Sequence, residues 1–224
     1  MTEQLPLVFG DASDVSSGLI TGPENELAIK WLKNWPDWPP PSRFLNIFGP
    51  VACGKSRLGE FHRQRTQAQI LTRLDSWDPR SLTGSHFILD DITQSKNWSE
   101  EALFFLYQTV TENSGTILFL SDKPISNMAW QLDDLRSRFR SVNAQEILPL
   151  SEASLRPLLE HHFTQRQCVI SQKILNFLVP RIQREYSYVQ KLVYEIDTRS
   201  LTNKKAVSIG LVKQVLSEMS GDNL

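Results

Sequence analysis

Gly49-Pro50-Val51-Ala52-Cys53-Gly54-Lys55-Ser56 fits the phosphate-binding pattern GxxxxGK[ST], and the residues on either side decide how it is read. Upstream, Phe44-Leu45-Asn46-Ile47-Phe48 reads as a buried strand. Downstream, Arg57-Leu58-Gly59-Glu60-Phe61-His62 continues as a helix whose N-terminus faces an anion. In such a strand–loop–helix unit, successive backbone N–H groups wrap a phosphate, the lysine ammonium adds a point charge, and the Ser/Thr hydroxyl ligates magnesium. The stretch 49–56 is therefore the expected nucleotide site, with Lys55 on phosphate and Ser56 on Mg2+. Ala52 and Cys53 stand where such loops often carry Gly and a small residue. Alanine tolerates positive φ poorly, so weak nucleotide binding or an altered loop shape is expected.

The 224 residues, 40% hydrophobic and 22% charged, suffice for a mid-sized α/β domain plus a small satellite. A formal net charge of −1 gives no global attraction to nucleic acid, and no local basic patch stands out. Cys53 and Cys168 lie far apart, form neither a metal-ligand nor a redox spacing, and point to a reducing cytosol. Cys168 reads as an inert core residue. There is no apolar run of membrane-spanning length and no signal-peptide pattern at Met1-Thr2-Glu3-Gln4, so a cytoplasmic chain without membrane association is expected.

Residues 1–21, rich in Ser, Asp and Gly, read as a flexible tail. Pro23-Glu24-Asn25-Glu26 opens a helix that ends before the aromatic, proline-laden connector Trp35-Pro36-Asp37-Trp38-Pro39-Pro40-Pro41. Short strands are expected at 69–71, 87–89, 116–120 and 145–148, with a helix over 100–111. Strands alternating with helices imply a parallel sheet covered on both faces. From Ser151 the strand signals stop, and four helices are expected, beginning at 151, 171, 186 and 208. The division is a tail (1–21), an α/β nucleotide domain (22–149) and an all-helical domain (150–224).

Three further signatures follow strands. His86-Phe87-Ile88-Leu89-Asp90-Asp91 ends an apolar strand in two carboxylates, and a magnesium–nucleotide site needs such an acid beside the phosphate-loop strand. Asp90 is the better metal candidate; Asp91 would polarise the attacking water. Alone the pair would read as a strand end, and the loop upstream tips the balance. Phe119-Leu120-Ser121-Asp122-Lys123-Pro124 places Ser121 or Asp122 where a terminal phosphate is read, with a plain strand-to-turn transition as the equal alternative. Leu132-Asp133-Asp134-Leu135-Arg136-Ser137-Arg138-Phe139-Arg140 offers arginines for charge compensation, although Arg136 and Arg140 read better as a solvated face paired with Asp133 and Asp134. The four histidines, His62, His86, His161 and His162, lack a ligand spacing and read as surface or core residues.

The order and spacing of 49–56, Leu89-Asp90-Asp91, Ser121-Asp122-Lys123 and Asp134-Leu135-Arg136-Ser137-Arg138-Phe139, followed by a helical lid, resemble the AAA+ module of the replication initiator DnaA. The chain is more similar still to the DnaA-related Hda regulators, particularly the short alphaproteobacterial HdaA type. Trp35-Pro36-Asp37-Trp38-Pro39 is similar to a family-typical stretch. The resemblance covers nearly the whole chain and implies a P-loop AAA+ parallel sheet flanked by helices and followed by a small lid. By position it implies Lys55 and Ser56 on phosphate and magnesium, Asp90 at the metal, Asp122 as the polar sensor, and Arg138 as the arginine finger. For the lid sensor, Arg184 is the better match, whereas counting back from Val207-Ser208-Ile209 lands on Ser187.

The resemblance also gives the tail a meaning. Gln4-Leu5-Pro6-Leu7-Val8-Phe9 fits QxxLxF, the peptide by which many proteins dock on the bacterial sliding clamp. Leu7 and Phe9 would be apolar anchors, Gln4 would supply hydrogen bonds, and Leu5 lies in the same segment. The implied function is a regulator that docks on the DNA-loaded clamp and promotes hydrolysis of DnaA-bound ATP. It would hold ADP or ATP with Mg2+ itself and have weak or no turnover of its own. DnaA and the sliding clamp (the DNA polymerase III beta subunit) are the expected partners, and a homodimer is left open. Sequence-specific DNA binding is not expected, because the chain ends near Leu224 without a further helical domain. The competing readings are an autonomous P-loop ATPase or kinase, and a DnaA paralogue that uses the scaffold for another partner.

Overall fold

The computed structural model describes residues 19–71, 86–92 and 98–219. Five short strands form one parallel sheet: β1 (Leu45–Phe48), β2 (Gln69–Leu71), β3 (His86–Leu89), β4 (Thr116–Ser121) and β5 (Asn143–Glu146), in the order β2-β3-β4-β1-β5. The central strands are near-continuous apolar runs because both faces of a parallel sheet are covered. All six residues of β4 are buried, whereas the edge strand β5, Asn-Ala-Gln-Glu, has none buried.

The helices of this unit are α1 (Glu26–Lys33), α2 (Lys55–Thr66), α3 (Glu100–Glu112) and α4 (Asp133–Arg140). Ser99 caps α3 by accepting the Ala102 N–H, and Glu100 and Glu101 favour the positive end of its dipole. Helix α2 approaches the sheet closely at Gly59, where a Cβ would lie 2.9 Å from Leu120 Cδ1. A substitution there would push the helix off the strand. The connector after α1 is anchored by its indoles: Trp35 Nε1 donates to Thr116 Oγ1 at 3.1 Å, and Trp38 Nε1 donates to the Trp31 carbonyl at 2.8 Å.

Among the described residues, one compact unit comprises 19–49 and those between Gly54 and Leu148; the other comprises Pro50–Cys53 and 149–219. The second unit carries α5 (Glu152–Gln165), α6 (Gln172–Leu178), α7 (Tyr186–Thr202) and α8 (Ile209–Met219). Ser151 caps α5 through the Ser154 N–H. Leu155, Leu159 and Phe163 of α5 and Val189, Val193 and Ile196 of α7 recur at three- and four-residue spacing and are buried. Arg166 pairs with the buried Asp197 of α7 at 3.1 Å and lies over the Tyr194 ring. Cys168 is half-buried rather than core, and its thiol is pushed up by partial burial and then by the neighbouring Asp197 carboxylate. None of the described helices is long and apolar enough to cross a membrane.

Two expectations about strands change. The last strand is Asn143–Glu146, not 145–148. Ile147 donates one more bond to the Phe48 carbonyl at 2.7 Å, after which Leu148 turns to the Glu24 carbonyl. Its hydrophobic pair lies beyond the ladder. Strand β3 is also not beside the phosphate-loop strand, because β4 lies between them.

Candidate phosphate site and arginine helix

The loop after β1 is held at both ends by main-chain bonds. Gly49 N donates to the Ser121 carbonyl at 3.2 Å, Cys53 N to Pro50 O at 3.3 Å, and Leu58 N to Gly54 O at 3.1 Å. Between them Gly54 has φ of 96°, and Ala52 has φ of 65°. The loop thus demands the left-handed region at Ala52, where an L side chain carries a penalty of roughly 1–2 kcal/mol. The sequence concern about Ala52 is met by strain accepted, not by a different turn. Pro50 and Val51 are exposed and Cys53 is buried.

Lys55 opens α2, and its side chain is only 11% exposed. Its ammonium donates to the Gly49 carbonyl at 2.8 Å and to Asp122 Oδ1 at 2.9 Å. The loop lysine and the residue beyond β4 are therefore brought together. Ser56 is exposed on the first turn of α2. Asp90 is half-buried just past β3, and Asp91 is exposed with φ of 55°.

These residues suit a nucleotide phosphate and Mg2+. Positive φ at Ala52 and Gly54 bends the loop, and the space a Gly54 side chain would take is open to 4 Å. The oxygen donors Ser56 and Asp90 are hard ligands of the type Mg2+ prefers alongside phosphate oxygens. No group of three or more His, Cys, Asp or Glu that would hold a metal occurs among the described residues. Magnesium would thus depend on oxygens from the nucleotide.

Helix α4 is anchored by Leu135 and Phe139, one turn apart and fully buried. The Phe139 ring packs against Phe119 at 5.3 Å and Trp130 at 5.0 Å. Arg138, next to that anchor, is half-buried on the flank. Its guanidinium lies over Phe104 at 5.1 Å and Tyr107 at 5.4 Å, both from α3. Among the described residues it has no carboxylate within ion-pair distance, whereas Arg136 pairs with Asp133. The carboxylate pairing expected of Arg136 is thus present.

Sequence reasoning missed two residues that set this geometry. Glu100 accepts the N–H groups of Gln131 and Leu132, at 3.0 and 2.7 Å, and so fixes the entry to α4 from the start of α3. Asn46, the polar residue in the apolar run of β1, bonds the exit of β4. Its polarity was the available signal. Arg184 precedes α7 in the helical unit, is exposed, and pairs with Glu152 at 2.7 Å. Ser187 lies within the first turn of α7. The 4–9 peptide with Gln4, Leu5, Leu7 and Phe9 lies outside the described residues.

Residues 152–216 match the family model described as the Hda lid domain. The Helicobacter pylori chromosomal replication initiator protein DnaA is 21% identical over 67% of this chain and 33% of its own length. Residues 152–216 are thus similar to an Hda-type lid, and the fold of the chain is that of DnaA domain III. An uncharacterised protein of Haemophilus influenzae is 27% identical and aligns over 97% of the chain and its own full length. Domain III of Thermotoga maritima DnaA has the same fold, with a TM-score of 0.71 at 16% identity over 90% of this chain and 94% of that one. AMPPCP-bound DnaA from Aquifex aeolicus aligns with a TM-score of 0.62 at 15% identity, over 82% of this chain and 65% of that one. The chain spans about a third of the length of the DnaA sequences it matches.

Proposed function

We propose that this DnaA-related chain is an Hda-like negative regulator of replication initiation. It docks on the DNA-loaded sliding clamp through Gln4, Leu5, Leu7 and Phe9 and presents Arg138 to ATP bound by DnaA. The observation that carries this reading is the state of Arg138. It is braced by two aromatic rings and an anchored helix, with no carboxylate beside it among the described residues, in a chain with an Hda-type lid. A guanidinium held so can be offered to a neighbouring subunit without first breaking an ion pair. An arginine supplied in trans to a terminal phosphate accelerates hydrolysis by roughly a thousandfold or more.

In this account the chain's own site holds a nucleotide for structural reasons, ADP being the better fit. Loop residues 49–56 cradle it, with Lys55 on phosphate, and Arg184 is the lid sensor. Mg2+, when bound, would neutralise phosphate charge between Ser56 and Asp90. Asp122 reads the terminal phosphate position, and Asp91 stands as the water-polarising acid if any turnover occurs. The AMPPCP bound by Aquifex DnaA supports an adenine nucleotide.

The test is the rate at which DnaA-bound ATP is hydrolysed when the chain is added with DNA-loaded clamp, without clamp, and with a Gln4→Ala, Leu7→Ala variant. Acceleration that needs both clamp and an intact peptide is expected. Steady ATP turnover by the chain alone, indifferent to DnaA and clamp, would instead indicate an autonomous ATPase. No effect on DnaA together with no clamp binding would indicate a scaffold for another partner.

A further inference from the structure

Asn46 is wholly buried in β1 between Leu45 and Ile47. A side-chain amide offers two donors and one acceptor, and a buried one is costly unless they are used. Here they are used on one target. Nδ2 donates to Ser121 Oγ at 2.8 Å and to the Phe119 carbonyl at 3.2 Å, while Oδ1 accepts the Ile125 N–H at 3.0 Å. Ser121 Oγ in turn donates to the Lys123 carbonyl at 2.7 Å. These bonds clasp the exit of β4 at its start, its middle and its far end. Asp122 sits inside the clasp.

Asp122 is 43% exposed, and its placement cannot come from packing. Held by the clasp, its carboxylate takes one donor of the Lys55 ammonium while Gly49 O takes another. A third phosphate reaching Lys55 would compete with that carboxylate and lie beside a like charge. A diphosphate would meet Lys55 with its terminal phosphate and stop short of that carboxylate. We propose that Asn46, acting through Ser121, is a positioning residue that fixes Asp122 against Lys55 and thereby biases the site toward a nucleoside diphosphate. This rests on the reading of 49–56 as a nucleotide site.

The test is equilibrium titration of the full chain with ADP and with AMPPCP, each with Mg2+, on wild type, Asn46→Leu, Ser121→Ala, Asp122→Asn, and the Asn46→Leu, Asp122→Asn double variant. The expected result is a shift of about tenfold in the affinity ratio toward AMPPCP for Asn46→Leu, a smaller shift for Ser121→Ala, and no further shift when Asn46→Leu is added to Asp122→Asn. An asparagine that merely supports the core would lower the melting temperature and weaken both ligands alike. An unchanged ratio in Asn46→Leu and Ser121→Ala, or full additivity in the double variant, overturns the proposal. If Asn46→Leu does not fold, Ser121→Ala decides. A wild-type chain that binds neither ligand overturns the nucleotide-site reading itself, and the proposal with it.

Discussion

Two of the buried polar side chains of the sheet unit, Asn46 at the strand next to the phosphate loop and His62 toward the far end of α2, are treated in opposite ways. Asn46 makes hydrogen bonds with both ends of its amide. His62 has neither ring nitrogen hydrogen-bonded among the described residues. It stacks on Trp38 at 5.6 Å and meets the edge of Trp35 at 6.1 Å. One polar group is retained for what it holds; the other serves as an aromatic plate. The buried amide beside the phosphate loop is held by directed bonds, and the buried imidazole at the opposite end by ring packing.

Truncation should expose this difference most strongly. Asn46→Ala leaves the Ile125 N–H without its partner, frees Ser121, and opens a cavity, so a loss of about 3–5 kcal/mol in urea unfolding is expected. His62→Phe keeps the ring and discards two unpaired nitrogens. It should unfold within about 1 kcal/mol of wild type at pH 7. Equal losses in the two variants would erase the distinction.

Acid gives the next largest effect. Burial, and then the His86 and Arg65 charges, lower His62 from 6.5 to about 4. Between those values the unfolded chain binds the proton more readily than the folded one, so stability is intact above pH 6.5 and is lost as pH falls toward 4. The expected loss at pH 5 is about 2 kcal/mol, and most of it should vanish in His62→Phe. His86 is lowered too, by burial and then Arg43, and contributes with the same sign. A stability profile flat from pH 7 to 5 would mean that His62 finds a proton partner after all.

Smallest is the effect at the loop. Ala52→Gly relieves the positive φ, offset partly by backbone entropy, and should tighten nucleotide binding by a few-fold, worth about 0.5–1 kcal/mol. Titration of the variant with ADP measures it. Weaker binding would mean that the strain at Ala52 is useful.

Much of this was legible in the sequence because it is local. Apolar runs mark the strands, the 49–56 pattern marks the loop, and the Leu135 and Phe139 spacing marks the anchored face of α4. The unread parts depend on contacts distant in sequence. Nothing in the Leu89-Asp90-Asp91 stretch says that β4 separates β3 from β1. Nothing near Glu100 announces that it caps a segment 31 residues away. Helix α2, Lys-Ser-Arg-Leu-Gly-Glu-Phe-His-Arg-Gln-Arg-Thr, is polar enough that the burial of His62 follows only once the Trp35 and Trp38 rings are in place.

The central claim is that the chemistry promoted by Arg138 takes place on a nucleotide held by DnaA. It is tested most directly by loading DnaA with radiolabelled ATP, adding this chain preloaded with unlabelled ADP together with DNA-loaded clamp, and following label in ADP through a single turnover. Wild-type chain should convert the label, and Arg138→Ala should reduce the rate to that of DnaA alone while still binding clamp. Undiminished conversion by Arg138→Ala would contradict the account.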